Sequence, residues 1–163
     1  MNKTGYWPYT PNTHLLYALS EACDMILDPH SQGIEGAFKR HQRSAAGVRA
    51  AVNAWGLPIQ CADEAVYSPV LTGVILPKEF DADAVRKTIY ERFDCSLGTG
   101  LGKIKGRMFR IGHLGDTNDL TLMGTLAGCE MGLKACGITL KSSGVLAAMD
   151  YFSANPVPKP TPK

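Results

Sequence analysis

The sequence predicts an α+β domain, with a small, mainly antiparallel sheet covered by helices on one face. Three observations predict it. Apolar residues recur at helical spacing near both ends of the chain. Between those ends, Val70, Thr72, Val74 and Leu76 alternate as one face of a strand, and Met108, Phe109 and Ile111 suit a second, partly buried strand. No internal repeat is present, so the elements belong to one mixed layer rather than an array.

Taken in order, residues 1–12 form an extended lead-in, stiffened by Pro8 and Pro11 and carrying Tyr6, Trp7 and Tyr9. These aromatics either pack back on the domain or reach outside it. A helix follows over 12–27, with Leu15, Leu19, Ala22 and Ile26 on one stripe. The run 28–32 breaks it. A longer helix over 33–55 places Ile34, Phe38, Ala45, Val48, Val52 and Trp55 on one face, with a structural His41 among them, and Gly56 stops it. Lys39, Arg40 and Arg43 form its wet side. A short strand is expected over 57–60, a better one over 70–76, and a helix opening at Asp81 that turns Val85 and Ile89 inward. A strand over 93–97 leads to the glycine loop 98–102.

The stretch 109–120 then reads as strand, glycine-broken turn and capped helix, with Thr117 as the cap and Asp119 in the first turn. The helix over 118–135 carries Leu122, Leu126, Cys129 and Leu133 on its apolar face. Gly124, Gly128 and Gly132 make a smooth groove that seats a close-packed neighbour, and Gly137 ends it. A last helix over 143–152 brings Val145, Leu146, Met149 and Phe152, and a proline-rich tail over 154–163 is expected to be disordered.

Composition excludes several classes. The chain has 163 residues, 45% apolar and 20% charged, with a net charge of +2. That is ordinary for a globular domain with a real core, and implies neither nucleic acid nor a charged membrane surface. No run approaches the roughly 20 apolar residues of a membrane span, and the first residues have no secretory h-region. The five cysteines are an odd number without a CxxC pair. They read as reduced thiols in a cytosol-like compartment, with no zinc site or other metal site. Cys129 and Cys136 lie on one helical face as small core residues.

Two residues or motifs carry chemistry. The glycine run 98–102 followed by Lys103 invites a phosphate-binding reading and fails it. Position 97 is leucine where a P-loop needs glycine, Ile104 stands where it needs Ser or Thr, and no helix follows. Arg110 lies in the middle of an apolar strand. A guanidinium is never neutral, so it needs an anion there, either a structural Asp or Glu or the carboxylate of a ligand.

The segments Tyr6-Trp7-Pro8-Tyr9-Thr10-Pro11, Leu15-Leu16-Tyr17-Ala18-Leu19, Tyr90-Glu91-Arg92-Phe93, Ser96-Leu97-Gly98-Thr99-Gly100-Leu101-Gly102 and Phe109-Arg110-Ile111-Gly112-His113-Leu114-Gly115 decide more together than singly. In this order they resemble the C-terminal portion of a class V, fold-type I, pyridoxal-phosphate-dependent aminotransferase of the serine–glyoxylate and alanine–glyoxylate group. The resemblance covers roughly residues 5–153 and implies the family's small C-terminal domain over 13–153.

It also implies roles. Arg110 grips the substrate α-carboxylate. Trp7 lines the substrate site of a neighbouring subunit, and Thr10 hydrogen-bonds the phosphate of that subunit's pyridoxal 5'-phosphate, which makes the complete enzyme a homodimer. The His113 backbone and the loop 98–102 border the pocket. The implied substrates are an amino acid, serine or alanine, and glyoxylate. The implied compartment is the cytoplasm, or the peroxisome in a plant. The Schiff-base lysine of the family precedes the Tyr6-Trp7-Pro8 segment, and none of the ten lysines matches it. The residues 29–32 look like an insertion between the first two helices. The chain is therefore expected to be inactive alone and to need a large-domain partner. The alternative is a non-catalytic carboxylate-binding or dimerisation module of the same fold.

Overall fold

The computed structural model of the chain describes residues 5–7, 9–28 and 33–157. They fall into two units, one made of the described residues up to Phe38 and the other Lys39–Val157. The predicted insertion at 29–32 and most of the proline-rich tail lie outside the described residues.

Within the first unit, α1 (Thr13–Leu27) is capped by Asn12, whose side chain accepts from the Leu15 N–H at 3.2 Å. The apolar stripe predicted on it exists, and none of its residues is buried. Tyr6, Trp7 and Tyr9 of the lead-in are likewise exposed. The helix α2 (Gly33–Trp55) runs on into the second unit, where it buries Ala45, Val48, Ala51, Val52 and Trp55. Ile34 and Phe38, at its start, stay exposed. Gly56 ends it with φ 76, while the Gly56 and Leu57 N–H groups return to the Asn53 and Val52 carbonyls.

The sheet of the second unit has three strands, β1 (Leu71–Ile75), β2 (Gly98–Thr99) and β3 (Met108–Gly112), in the order β1-β3-β2 and wholly antiparallel. Residues 57–60 form no full strand; Ile59 makes one bridge to Val74. The strand expected over 93–97 is absent. Phe93 closes the helix α3 (Ala82–Phe93), and Asp94 turns the chain at φ 54, so pairing begins only at Gly98. Along β1 and β3 alternate residues face opposite ways. Thr72 pairs with Ile111 and Val74 with Phe109, all four buried, whereas Gly73 pairs with Arg110 on the other face.

The buried face packs on α3 and on α4 (Asp119–Ala135), through Val85, Ile89, Leu122, Leu126 and Leu133. Asn118, not Thr117, caps α4: its side chain accepts from the Thr121 N–H while Thr121 accepts from the Asn118 N–H. The Thr117 hydroxyl is buried with no hydrogen-bond partner among the described residues.

The glycine groove on α4 is used at two of its three places. A Cβ at Gly132 would fall 2.1 Å from Ile89, one at Gly128 would touch Cys95 and Phe93, and one at Gly124 would meet nothing within 4 Å. The helix α5 (Gly144–Ala154) crosses α2 closely, with Phe152 over Gly47 and Trp55 against Gly144.

Two polar clusters tie the helices. The buried Glu130 carboxylate of α4 accepts from Trp55 Nε1 at 3.0 Å, Val145 N at 3.1 Å, Ser143 Oγ at 3.2 Å and Lys134 Nζ at 2.7 Å. Arg43 is not simply on a wet side. It holds Asp119 with both terminal nitrogens, at 2.5 and 2.8 Å, and lies 4.8 Å over the Phe152 ring. Arg40 donates to the Gly115 carbonyl, and His41 Nε2 accepts the Gly115 N–H at 2.9 Å, a structural role as the sequence predicts.

Candidate carboxylate site on the open face of the sheet

Arg110 sits at the centre of β3, on the face turned away from α3 and α4. Both of its cross-strand neighbours, Gly73 on β1 and Gly98 on β2, are glycines. A Cβ at Gly98 would stand 3.0 Å from Arg110 Nε and 3.1 Å from Arg110 Cβ, so glycine gives the arginine room to lie across β2. The side chain contributes to a cavity of about 330 Å³. One wall comes from Ile59, Gln60 and Cys61, another from Val66, Tyr67 and Ser68, and a third from Gly100, Leu101 and Ile104.

The charge of this cavity is one-sided. Arg49 and Arg110 line it; among the described residues no Asp, Glu or Lys does. Arg49 lies over the Tyr67 ring at 5.2 Å. Arg110 Nε is buried with no hydrogen-bond partner among the described residues. A buried donor left unmade costs about 1–3 kcal/mol, more when the group is charged. A carboxylate offers two coplanar oxygens to a guanidinium edge and satisfies that geometry. The structural ion pair that the sequence alone left open does not form among the described residues.

Of the residues predicted from sequence, Arg110 is in the cavity, and Gly100 and Leu101 of the glycine loop form part of its wall. Trp7 and Thr10 belong to the first unit and are both exposed. His113 does not line the cavity. Its ring is buried, with Nδ1 3.1 Å from the Pro69 carbonyl and Nε2 2.9 Å from Thr72 Oγ1. A carbonyl only accepts, so Nδ1 carries the proton and Nε2 accepts from the threonine. Burial holds this imidazole well below its ordinary range, at about 4, despite the Pro69 contact, and the Arg49 charge adds to the effect. Arg49 and Tyr67 were missed. The available signal was a cation at position 49 within the apolar half of α2, beside Val48 and Val52.

No family model matches the chain. The serine–glyoxylate aminotransferase of Hyphomicrobium methylovorum is 43% identical over 155 residues, covering 94% of this chain and 38% of that protein. The protein of the same name from Arabidopsis thaliana is 44% identical over 148 residues, 90% of this chain and 36% of its own length. Among solved structures, pyridoxamine–pyruvate aminotransferase from Mesorhizobium loti matches with a TM-score of 0.83 at 29% identity, over 93% of this chain and 38% of that one. The chain thus spans little more than a third of the length of the proteins it matches. It is a homologue of the serine–glyoxylate aminotransferases, corresponding to their C-terminal portion.

Proposed function

We propose that this chain supplies the carboxylate grip of a pyridoxal-phosphate-dependent transaminase that moves the amino group of serine or alanine to glyoxylate. The observation that carries this reading is the buried, unpartnered Arg110 Nε in a cavity without acidic residues. The donor and acceptor of a transamination differ at the reacting carbon and share a carboxylate. One planar fork therefore serves both halves of the reaction and holds each acid in the same pose. The relatives named for serine and glyoxylate support the choice of substrates. The activity itself belongs to an enzyme of their full length.

Pyridoxal phosphate, when bound, acts as the electron sink for chemistry at the substrate α-carbon. The cavity fits the substrate's carboxylate and does not fit this cofactor, because among the described residues no lysine lines it to meet an aldehyde. Lys103 and Lys105, close to Arg110 in sequence, are exposed. No step through the cofactor is therefore placed on these residues, and the chain is proposed to be inactive alone.

Trp7 and Thr10 are proposed to act across a homodimer, Trp7 on the neighbour's substrate and Thr10 on its cofactor phosphate. Their exposure supports a reach outward from this chain. Among the described residues no helix is long and apolar enough to cross a membrane. Cytoplasmic residence, or peroxisomal in a plant, remains part of the proposal. A cavity that no described lysine lines supports one second reading, a non-catalytic carboxylate-binding or dimerisation module.

The test is the intact mass of the purified chain after incubation with pyridoxal phosphate and borohydride, alongside calorimetric titration with glyoxylate. The expected result is no stoichiometric adduct, together with glyoxylate binding that Arg110→Ala removes. One adduct at one mapped lysine overturns inactivity alone. Binding unchanged in Arg110→Ala overturns the carboxylate grip. Turnover on adding the large domain of a relative excludes the non-catalytic module.

A further inference from the structure

On the face of the sheet opposite the Arg110 cavity, one buried ring reaches the run that builds a wall of that cavity. Residues 61–70 lead from Gln60 to the start of β1 with one short turn over Glu64–Val66. Their internal bonds are local. The Asp63 carboxylate accepts the Ala65 N–H at 2.9 Å, and the Val66 and Tyr67 N–H groups return to the Asp63 and Glu64 carbonyls. Among the described residues, the hydrogen bonds that leave this run all go to His113. Its backbone N–H donates to the Val70 carbonyl at 3.0 Å, which extends the pairing of β1 with β3 by one residue. Its ring Nδ1 donates to the Pro69 carbonyl at 3.1 Å. One further contact ties the run to α2, the Arg49 guanidinium over the Tyr67 ring.

The ring is fixed from both sides. His113 follows β3 directly and faces the helices, as Phe109 and Ile111 do. Thr72 pairs with Ile111 and is therefore the diagonal neighbour of His113 on that face. Its Oγ1 stands 2.9 Å from Nε2, and both residues are buried. A neutral imidazole carries one proton, and the partner of one nitrogen decides where it sits. The threonine hydroxyl donates to Nε2, so the proton stays on Nδ1, where the Pro69 carbonyl accepts it.

We propose that His113 is a positioning residue for the carboxylate site, and that its bond to Pro69 holds Val66, Tyr67 and Ser68 in place as a wall of the Arg110 cavity. This rests on the reading that Arg110 holds the substrate's carboxylate. His113 touches no ligand itself. It acts from the far face of the sheet, around β1, which is an edge strand. Ser68 directly precedes Pro69, so the anchored carbonyl lies one residue from the wall. The proline stiffens that join: its own φ is fixed, and the residue before it is kept extended. A shift at Pro69 is therefore passed on to Ser68 and Tyr67. Tyr67 in turn carries the Arg49 head, which lines the same cavity. A wall released at Pro69 opens the cavity to water and loosens the ring on which its second cation rests. Both weaken the hold on an anion.

The experiment makes two measurements on the whole chain, at a temperature where circular dichroism shows each variant folded. One is calorimetric titration with glyoxylate. The other is the rate of cleavage after the exposed Glu64 by a glutamate-specific protease, with the products mapped by mass. Thr72→Val keeps the shape of the side chain and removes the hydroxyl, so Nε2 is free to take the proton and the Pro69 carbonyl loses its donor. It is expected to weaken glyoxylate binding roughly three- to tenfold, the size of one lost hydrogen bond, and to speed cleavage after Glu64. Thr72→Ser, which keeps the hydroxyl, should restore both. His113→Leu should do at least as much as Thr72→Val, and the threonine pair still decides the matter where His113→Leu does not fold. A lower unfolding midpoint in Thr72→Val with parental affinity would mean that the ring only stabilises the fold, and would overturn the proposal whether or not cleavage is faster. If the parent binds no glyoxylate, the carboxylate reading fails and the proposal with it. If Arg110→Ala abolishes binding while Thr72→Val binds as the parent does, only the positioning role fails.

Discussion

At the scale of the residue, Arg110 tests fork geometry against plain charge. Lysine at this position keeps the positive charge and loses the planar pair of donors. A hydrogen bond to a charged group contributes about 1.5–3 kcal/mol, and about 1.4 kcal/mol is tenfold in affinity. Arg110→Lys is therefore expected to weaken glyoxylate binding by roughly ten- to a hundredfold, read by calorimetry. Gly98→Ala leaves the guanidinium chemically intact and puts a methyl 3.0 Å from its Nε. It is expected to weaken binding in the same direction with the fold retained. If Gly98→Ala binds as the parent does, the position of the arginine over β2 is not what makes the site. The arginine was legible from sequence because a charge in an apolar strand demands an anion. Arg49 was not, because a helix offers every long cation a wet face, and only the tertiary fold shows that its head lies over Tyr67 in the same cavity.

At the scale of the element, α4 shows what a pattern does and does not reveal. Three glycines at a spacing of four announce a groove, but their unequal use depends on where α3 crosses. Gly132→Ala forces a methyl to within 2.1 Å of Ile89 and is expected to cost about 1–3 kcal/mol by overpacking. Gly124→Ala meets nothing within 4 Å and is expected to stabilise, by up to about 1 kcal/mol from helix propensity. Thermal unfolding of the two variants should move the midpoint in opposite directions; equal losses would mean that α4 tolerates no Cβ on that stripe. Helix starts were legible wherever an Asn, Asp or Ser stood before the apolar run, as at Asn12, Asp81 and Ser143. The start of α4 was misplaced by one residue because Thr117 and Asn118 are both capping types, and only Asn118 forms the reciprocal bonds with Thr121. The strand expected over 93–97 failed because Asp94 takes a left-handed turn that delays pairing until Gly98.

At the scale of the whole molecule, two buried titratable groups make the fold sensitive to acid, each in its own pH window. His113 is neutral in the folded chain, with burial pressing its imidazole down to about 4, while an unfolded histidine titrates near 6.5. As pH falls through 6.5 the unfolded chain gains a proton that the folded chain refuses, so stability falls until about pH 4. One such proton gives a slope of up to about 1.4 kcal/mol per pH unit. Glu130 works lower. Burial pushes its carboxyl up, but Lys134, Trp55, Val145 and Ser143 together outweigh that and hold it down at about 2. Its folded value lies below the unfolded one, near 4.3, so its contribution is complete above that unfolded value and is lost as pH falls towards 2. The two windows nearly abut, and denaturant midpoints should therefore fall continuously from pH 6.5 downward, with no plateau near 4. His113→Gln, which cannot titrate, should flatten the curve between pH 6.5 and 4 and leave the steep acid limb. Glu130→Gln should do the reverse, at a lower overall stability because the Trp55 N–H and its neighbours lose a charged acceptor. If both variants kept the parent's slope in both windows, the acid sensitivity would belong to the surface carboxylates instead of these two buried groups.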